Sequence, residues 1–301
     1  HFCLIDRNHK KQAIDDIYRN YVKLHVSCNS ENVLKVSEFK VNTNKISEEN
    51  TFAWDLEASP NDKNNYYFQQ WASGLISLKD VKNELGNNLE FITDKTKQEQ
   101  LKLKAQTFTG FDCITQMFKY LGNLPNQTEA ILIAHNGSKF DNYLLLQEHG
   151  LVPYKILKTS QGIINIQFRK MYTSKVNQDL IEKKFLEKHP KIKDLNGGKF
   201  LQRVTFRCSL NHIKNSLDNI CKSFKLPIEL SKSELEHDEI TLHNYLNYKS
   251  QWEPYLKLDV ISLAIIIIKY SSTMDKLIDQ NMTSSMSSPS LSLKGWIKHY
   301  Q

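Results

Sequence analysis

The apolar and polar positions alternate along the chain in two rhythms. TFAWDLEAS (51–59) reads as a short strand, SPNDKNN (59–65) as a loop, and YYFQQWASGLISL (66–78) as a second strand, so the pair predicts a hairpin. LEFIT (89–93) suggests a third strand, and the Lys- and Gln-rich stretch 94–104 an exposed turn or helix. Phe111, Ile114, Phe118 and Leu121 share one helical face in 108–124, with Gly122 as a stop. AILIAH (130–135) is a continuous apolar run bounded by turn residues, the pattern of a strand buried on both faces. SKFDNYLLLQEHG (138–150) follows as a helix with Ser138 as N-cap. Residues 162–172 and 199–209 predict two more strands, 212–226 an amphipathic helix, and 253–270 a strongly apolar one. AIDDIYRNYVKLH (13–25) has helical spacing. The charged stretch 174–198 reads as an exposed insertion, and the Ser/Thr/Met-rich stretch 271–290 as a linker.

Strands, helix, buried strand, helix, hairpin and helices in that order predict an α/β domain with a mixed sheet. The length of 301 residues allows one large domain or two modest ones. The formal charge of +7 suits a polyanionic partner without requiring one. Only five of the 40 basic residues are Arg, so any phosphate contacts would come mostly from Lys point charges. The five Cys are widely spaced with no C-x-x-C, which argues against a disulfide framework or a zinc site. No apolar run is long enough to span a bilayer, so no membrane partner is expected. The chain begins with His1 rather than Met and is expected to be a piece of a longer polypeptide.

Three acidic motifs carry candidate chemistry. In Asp55-Leu56-Glu57 the two carboxylates are at i and i+2 of a strand and face the same side. In His135-Asn136-Gly-Ser-Lys-Phe140-Asp141 the apolar strand ends at His135, and Asp141 enters the next helix, where catalytic groups of α/β sheets gather. Tyr255 and Asp259 are at i and i+4 of a helix and project together. Each alone has a bland reading: solvated charges, a turn with a helix-start acid, a packed tyrosine. Asp259 stands at the head of a very apolar helix, however, and there a carboxylate needs a partner or a metal.

Taken in order, D-x-E, N-x3-F-D and Y-x3-D resemble the 3′–5′ exonuclease domain of family B DNA polymerases, the DEDD type with a tyrosine in its last motif. Ser209-Leu210-x-x-Ile213 and the stretch around Lys232 to Leu235 resemble motifs of the protein-primed branch, found in phages, linear plasmids and mitochondria. SLSLKGW (290–296) resembles the segment that joins exonuclease to polymerase. The resemblance covers roughly residues 50–300. It implies a ribonuclease H-like mixed sheet flanked by helices, with 1–49 as an N-terminal segment, 50–275 as the exonuclease domain, and 276–301 as linker and start of a polymerase domain.

The implied activity is proofreading. Two Mg²⁺ or Mn²⁺ ions would be held by Asp55, Glu57, Asp141 and Asp259. Tyr255 would orient the attacking water, and Lys232 would offset charge on the scissile phosphate. His135, Asn136, Phe140, Ser209 and Leu210 would hold the 3′ end of single-stranded DNA. Implied partners are the polymerase domain of the same polypeptide and a terminal priming protein. Ala58 departs from the family, which often has Thr there, and the polymerase motifs D-x-x-S-L-Y-P and D-T-D are absent. The compartment is left open. Two other readings stand: a stand-alone exonuclease of the same superfamily acting on DNA or RNA, and a non-catalytic module that binds nucleic acid or a priming protein.

Overall fold

The computed structural model describes residues 25–26, 34–35, 48–60, 67–123, 129–147, 153–160, 162–172, 200–233, 235–236 and 239–299. The helix expected at 13–25 and the insertion expected at 174–198 lie essentially outside the described residues. His25–Val26 and Leu34–Lys35 form a small antiparallel ladder of their own.

The main body is a sheet of seven strands. These are β1 (Thr51–Pro60), β2 (Phe68–Ser77), β3 (Gln106–Thr109), β4 (Glu129–Ala134), β5 (Lys155–Thr159), β6 (Gly162–Tyr172) and β7 (Phe200–Cys208), in the order β3-β2-β1-β4-β7-β6-β5. β1, β2 and β3 pair antiparallel, while β4 and β7 run parallel to β1. The β5–β6 hairpin extends the sheet beyond β7. An antiparallel three-strand meander continued by two parallel strands, with helices on both faces, is a ribonuclease H-like fold. The strand expected at 89–93 is absent. Leu89 takes a left-handed φ of 60°, and the Asp94 carboxylate accepts from the Thr96 and Lys97 amides to start a helix. The third strand falls at Gln106–Thr109 instead.

β1 shows how the sequence divides the core. Phe52, Trp54 and Leu56 point to one face, and Ala53, Asp55 and Glu57 to the other. The first set packs with α3 (Cys113–Asn123) and α4 (Asp141–Gln147), joined by Leu132, Val204 and Phe206. On the opposite face, Ala53, Ile76 and Ile133 pack under α1 (Leu78–Leu85), α2 (Lys95–Lys104), α5 (Leu217–Ser223) and α6 (Lys249–Ile278). α6 is long because its apolar positions from Val260 to Ile268 are buried all round. It ends where Asp279 adopts a left-handed φ of 52° and its amide bonds the Asp275 carbonyl.

The Ser/Thr/Met-rich stretch is therefore not the expected linker. Its first part completes α6. Asn281 then forms a capping box over Met282–Ser284, and α7 (Ser288–His299) folds back. Met282 and Leu291 are buried in the same core as α6. Small polar residues resemble a linker in sequence, yet here they make caps and short turns between packed elements. Cys113, Cys208 and Cys221 are buried, and none of them is in a disulfide among the described residues. Among the described residues no helix is long and apolar enough to cross a membrane.

Gly74 sets the distance between α6 and the sheet. It stands opposite Asp55 in the β1–β2 ladder, and a Cβ there would lie 2.9 Å from Leu256 Cγ and 3.1 Å from Val260 Cγ1. Gly74→Val is expected to push α6 away and to lower stability by about 1–3 kcal/mol, read as an earlier denaturation midpoint with an unchanged denaturant slope. A variant as stable as the parent would show that the close approach is not needed.

Candidate active site

The three acidic motifs meet along the middle of β1, just past the end of its ladder with β4, on the face covered by α6. The parallel pairing of β1 with β4 runs from Thr51 to Ala53 and stops there. β4 then turns away through Asn136, in a left-handed conformation with φ of 63°, and the 137–140 turn leads into α4. Asp141, the first residue of that helix, swings back. Its carboxylate accepts from the backbone N–H of Leu56, the residue between Asp55 and Glu57, and from its own amide. One backbone bond thus ties the second motif to the first. Gly137 permits this, since a Cβ there would lie 2.8 Å from Ala134 Cβ and 3.4 Å from Asp141 Oδ2. The helix begins at Asp141 rather than at Ser138 because 136–140 makes turn bonds, among them the Lys139 amide to the Asn136 carbonyl. Ser138 is buried and its carbonyl accepts from the Ile163 amide.

Asp259 and Tyr255 come from α6, one turn apart, both buried. Lys232, on the stretch before α6, bonds Asp259 Oδ2 at 2.7 Å and places its ammonium 5.0 Å from the centre of the Tyr255 ring. It also hydrogen-bonds the Tyr255 side chain. The pairing register of β1 with β2 shifts between Glu57 and Ala58, a bulge beside the site that changes the course of the strand after Glu57. Beyond it, Ser59 Oγ donates to the Ile240 carbonyl at 2.7 Å and accepts from Trp71 Nε1 at 2.9 Å, which fixes the strand end.

The electrostatics follow from putting four acids in one place. Burial raises the Asp55 carboxyl well above its usual range, and the charges of Asp141, Asp259 and Glu57 raise it further. Burial, then the Asp259 charge, pushes Glu57 up to about 8, against the opposing pull of Lys232. Burial takes Asp141 to about 7, although two backbone amides hold it down. For Lys232, burial works against the charge but Asp259 and Tyr255 outweigh it, so its pKa rises. Burial and the Asp259 charge keep the Tyr255 phenol protonated. Asp55 keeps partial exposure, while Glu57, Asp141 and Asp259 are 5%, 4% and 2% exposed. The cluster thus reaches solvent through Asp55 and the half-buried Lys232.

Four hard carboxylate donors faced by one ammonium suit a hard divalent cation such as Mg²⁺ or Mn²⁺. Among the described residues, no three acidic, imidazole or thiol groups are drawn together tightly enough to enclose a metal as they stand. Like-charge repulsion and the Lys232 bond to Asp259 both oppose closer approach.

The expected strand-holding residues lie around the same end of the sheet but differ in what they offer. His135 Nδ1 meets Ser209 Oγ at 2.9 Å, and its Nε2 meets the Asn215 carbonyl at 2.8 Å. Ser209 is buried and also reaches the Ala134 carbonyl at 3.2 Å. These two side chains therefore bind the end of β4 to the turn after β7. Phe140 packs edge-on against Phe68 at 5.4 Å. Asn136 is exposed and Leu210 half-buried. Sequence reasoning missed Gly74, Gly137 and the Leu56 amide. A lone glycine in a strand signals close backbone approach, so Gly74 was findable; a backbone N–H carries no residue signal.

No protein-family model matches the chain, and no curated protein matches it. Among solved structures, the chain resembles phi29 DNA polymerase complexed with primer-template DNA and incoming nucleotides, at 14% identity and a TM-score of 0.46. That alignment covers 83% of this chain and 34% of the polymerase. It also resembles phi29 DNA polymerase complexed with single-stranded DNA, at 14% identity and a TM-score of 0.44, covering 83% of this chain and 35% of the other. The chain thus spans about a third of the length of those proteins.

The acid cluster has a measurable consequence for stability. An unfolded Glu57 titrates near 4.5 and the folded one near 8, so its stabilising share is present below 4.5 and is lost as pH rises through 8. In EDTA the protein is expected to be less stable at pH 8 than at pH 5 by on the order of a few kcal/mol, read as a lower melting temperature at pH 8. Glu57→Gln is expected to narrow that gap. A melting temperature that rises with pH in the unsubstituted protein would contradict the charge crowding.

Proposed function

We propose that this chain is the 3′–5′ exonuclease module of a family B DNA polymerase of the protein-primed kind, and that it removes nucleotides from the 3′ end of single-stranded DNA. The observation that supports this most strongly is the meeting of Asp55, Glu57, Asp141 and Asp259, from one strand and two helices, with Tyr255 and Lys232 beside them. A structural ion-pair network would balance its charges; this one sets four acids against one ammonium, an arrangement suited to a cationic cofactor and a phosphate substrate.

The reaction is hydrolysis of the terminal phosphodiester. Water adds to phosphorus, the bond to the 3′ oxygen breaks, and a nucleoside 5′-monophosphate leaves while the shortened strand keeps its 3′ hydroxyl. The chemistry supplied by two bound divalent ions is a clamp on the attacking and leaving oxygens of this in-line displacement. Asp55, Glu57, Asp141 and Asp259 would hold the ions. The Tyr255 hydroxyl, kept protonated by its surroundings, is suited to orient the attacking water by hydrogen bonding. Lys232 is suited to offset charge on the phosphate as its hold on Asp259 relaxes. Asn136, Leu210 and the exposed part of Phe140 would line the path of the strand, with His135 and Ser209 bracing the walls. Selection of mispaired ends then needs no base reading, since a frayed end costs less unpairing to deliver. The polymerase domain and a terminal priming protein are the partners this reading implies.

The test is to incubate the purified chain with a 5′-labelled single-stranded oligonucleotide in Mg²⁺, Mn²⁺ or EDTA. A ladder that shortens from the 3′ end with metal, and not with EDTA, is expected. Asp55→Ala with Glu57→Ala is expected to slow it on the order of 10²-fold or more. Unimpaired digestion by that double variant, or digestion from the 5′ end, would sink the proposal.

A further inference from the structure

A second cluster, with no role in the chemistry above, lies at the end of β7. Arg207 on β7, His212 in the following turn and Lys294 on α7 converge on consecutive backbone carbonyls. Arg207 Nη1 donates to the Thr283 carbonyl at 2.5 Å, Lys294 Nζ to the Ser284 carbonyl, and His212 Nε2 lies 3.3 Å from the Ser285 carbonyl. The turn that presents these carbonyls is itself held by the Asn281 capping box. Among the described residues, neither Arg207 nor Lys294 pairs with a carboxylate. Carbonyl dipoles satisfy hydrogen bonds but do not neutralise two full charges. Arg207 Nε, moreover, is buried with no acceptor.

The neighbouring charges feel one another. Burial draws the Arg207 guanidinium down to about 10, with Arg203 adding repulsion. Burial lowers the Lys294 ammonium, and the Arg207 charge lowers it further. Burial takes His212 to about 4, with the Arg207 charge adding to it, so its imidazole is neutral near pH 7. All three side chains are half-buried, so part of each still meets solvent although Arg207 Nε does not.

Their place in the sheet says where such a ligand would come from. Arg207 pairs with Ile133 of β4, and Ile133 pairs with Ala53 of β1. The Arg207 side chain therefore leaves the sheet on the face that carries Asp55, two strand spacings or about 10 Å across. We propose that Arg207 and Lys294, with His212 beside them, form a phosphate subsite that grips the backbone of the single strand upstream of the bond being cut. This rests on the exonuclease reading for the identity of the strand, but the need for an anion comes from the cluster itself. The subsite explains how a chain with few arginines could hold a strand without reading its bases: the contact is to phosphate, which every sequence presents.

The experiment measures binding without turnover, in EDTA. Fluorescence anisotropy of a labelled oligothymidylate is followed against salt for the parent chain, Lys294→Met and Arg207→Met. For every phosphate that a variant no longer neutralises, the slope of log Kd against log salt is expected to fall by about 0.7. Lys294 is only half-buried, so its variant keeps the test alive if Arg207→Met fails to fold. In parallel, melting temperature is measured in inorganic phosphate and in chloride at equal ionic strength. A reduced slope in Lys294→Met supports a strand-backbone site. An unchanged slope, with phosphate-dependent stabilisation that Lys294→Met abolishes, supports a site for free phosphate instead. An unchanged slope with no phosphate stabilisation overturns the subsite, and a metal-dependent 3′ ladder from the same preparation would leave the exonuclease reading intact. A parent chain that neither binds the oligonucleotide nor gains stability from phosphate overturns the subsite as well.

Discussion

Four carboxylates are held within one another's field beneath α6, and much of the surrounding structure serves to tolerate that. Like charges in a low-dielectric setting repel strongly. They stay together only because each is fixed by an element that has other reasons to be where it is. Asp55 and Glu57 belong to a strand whose opposite side buries Phe52, Trp54 and Leu56. Asp259 belongs to a helix anchored by its apolar run from Val260 to Ile268. Asp141 is caught by a backbone amide of the very strand that repels it. The hydrophobic cores on the two faces of the sheet thus supply the free energy that the acid cluster opposes. At this cluster local stability is given up to bring four acids together.

The topology decides where that cluster can form. In a sheet of this kind the parallel strands β1, β4 and β7 all end on one edge, and the chain must leave them by turns. Pairing of β1 with β4 stops at Ala53, and beyond it β1 carries its acids on past the ladder. The resulting notch admits the start of α4 from one side and the Lys232 stretch from the other. The absence of a Cβ at Gly74 then lets α6 sit close enough for Tyr255 and Asp259 to join. The same edge carries the basic cluster of Arg207 and Lys294. One rim of the sheet thus presents acids suited to cations and cations suited to phosphate, side by side.

The elements that sequence reasoning misplaced share a cause. LEFIT has strand-like residues, but Asp94 begins a helix just after it and β2 takes its antiparallel partner from Gln106–Thr109. The 155–159 strand has all its residues exposed, so it shows no burial pattern to read. The 271–290 stretch looks like a linker because its caps are made of the small polar residues that linkers also use. In each case pairing or packing against another element, not the local pattern, chose the conformation. His135 and Ser209 are a related case: their types suggest contact with a ligand, but they bond each other across 74 residues.

The α/β character, the hairpin, the apolar helix and the carboxylates able to share a face were legible in the residues alone. Those follow from periods of two and of 3.6, which are local geometry. That the three motifs meet follows only from the folded arrangement, because it depends on strand order, on where the β1–β4 ladder stops, and on a glycine that lets a helix approach. That arrangement alone showed that Lys232 bonds Asp259 and that Leu56 offers its amide to Asp141. It alone gathered Arg207, His212 and Lys294 around one turn, since their spacing along the chain has no period at all.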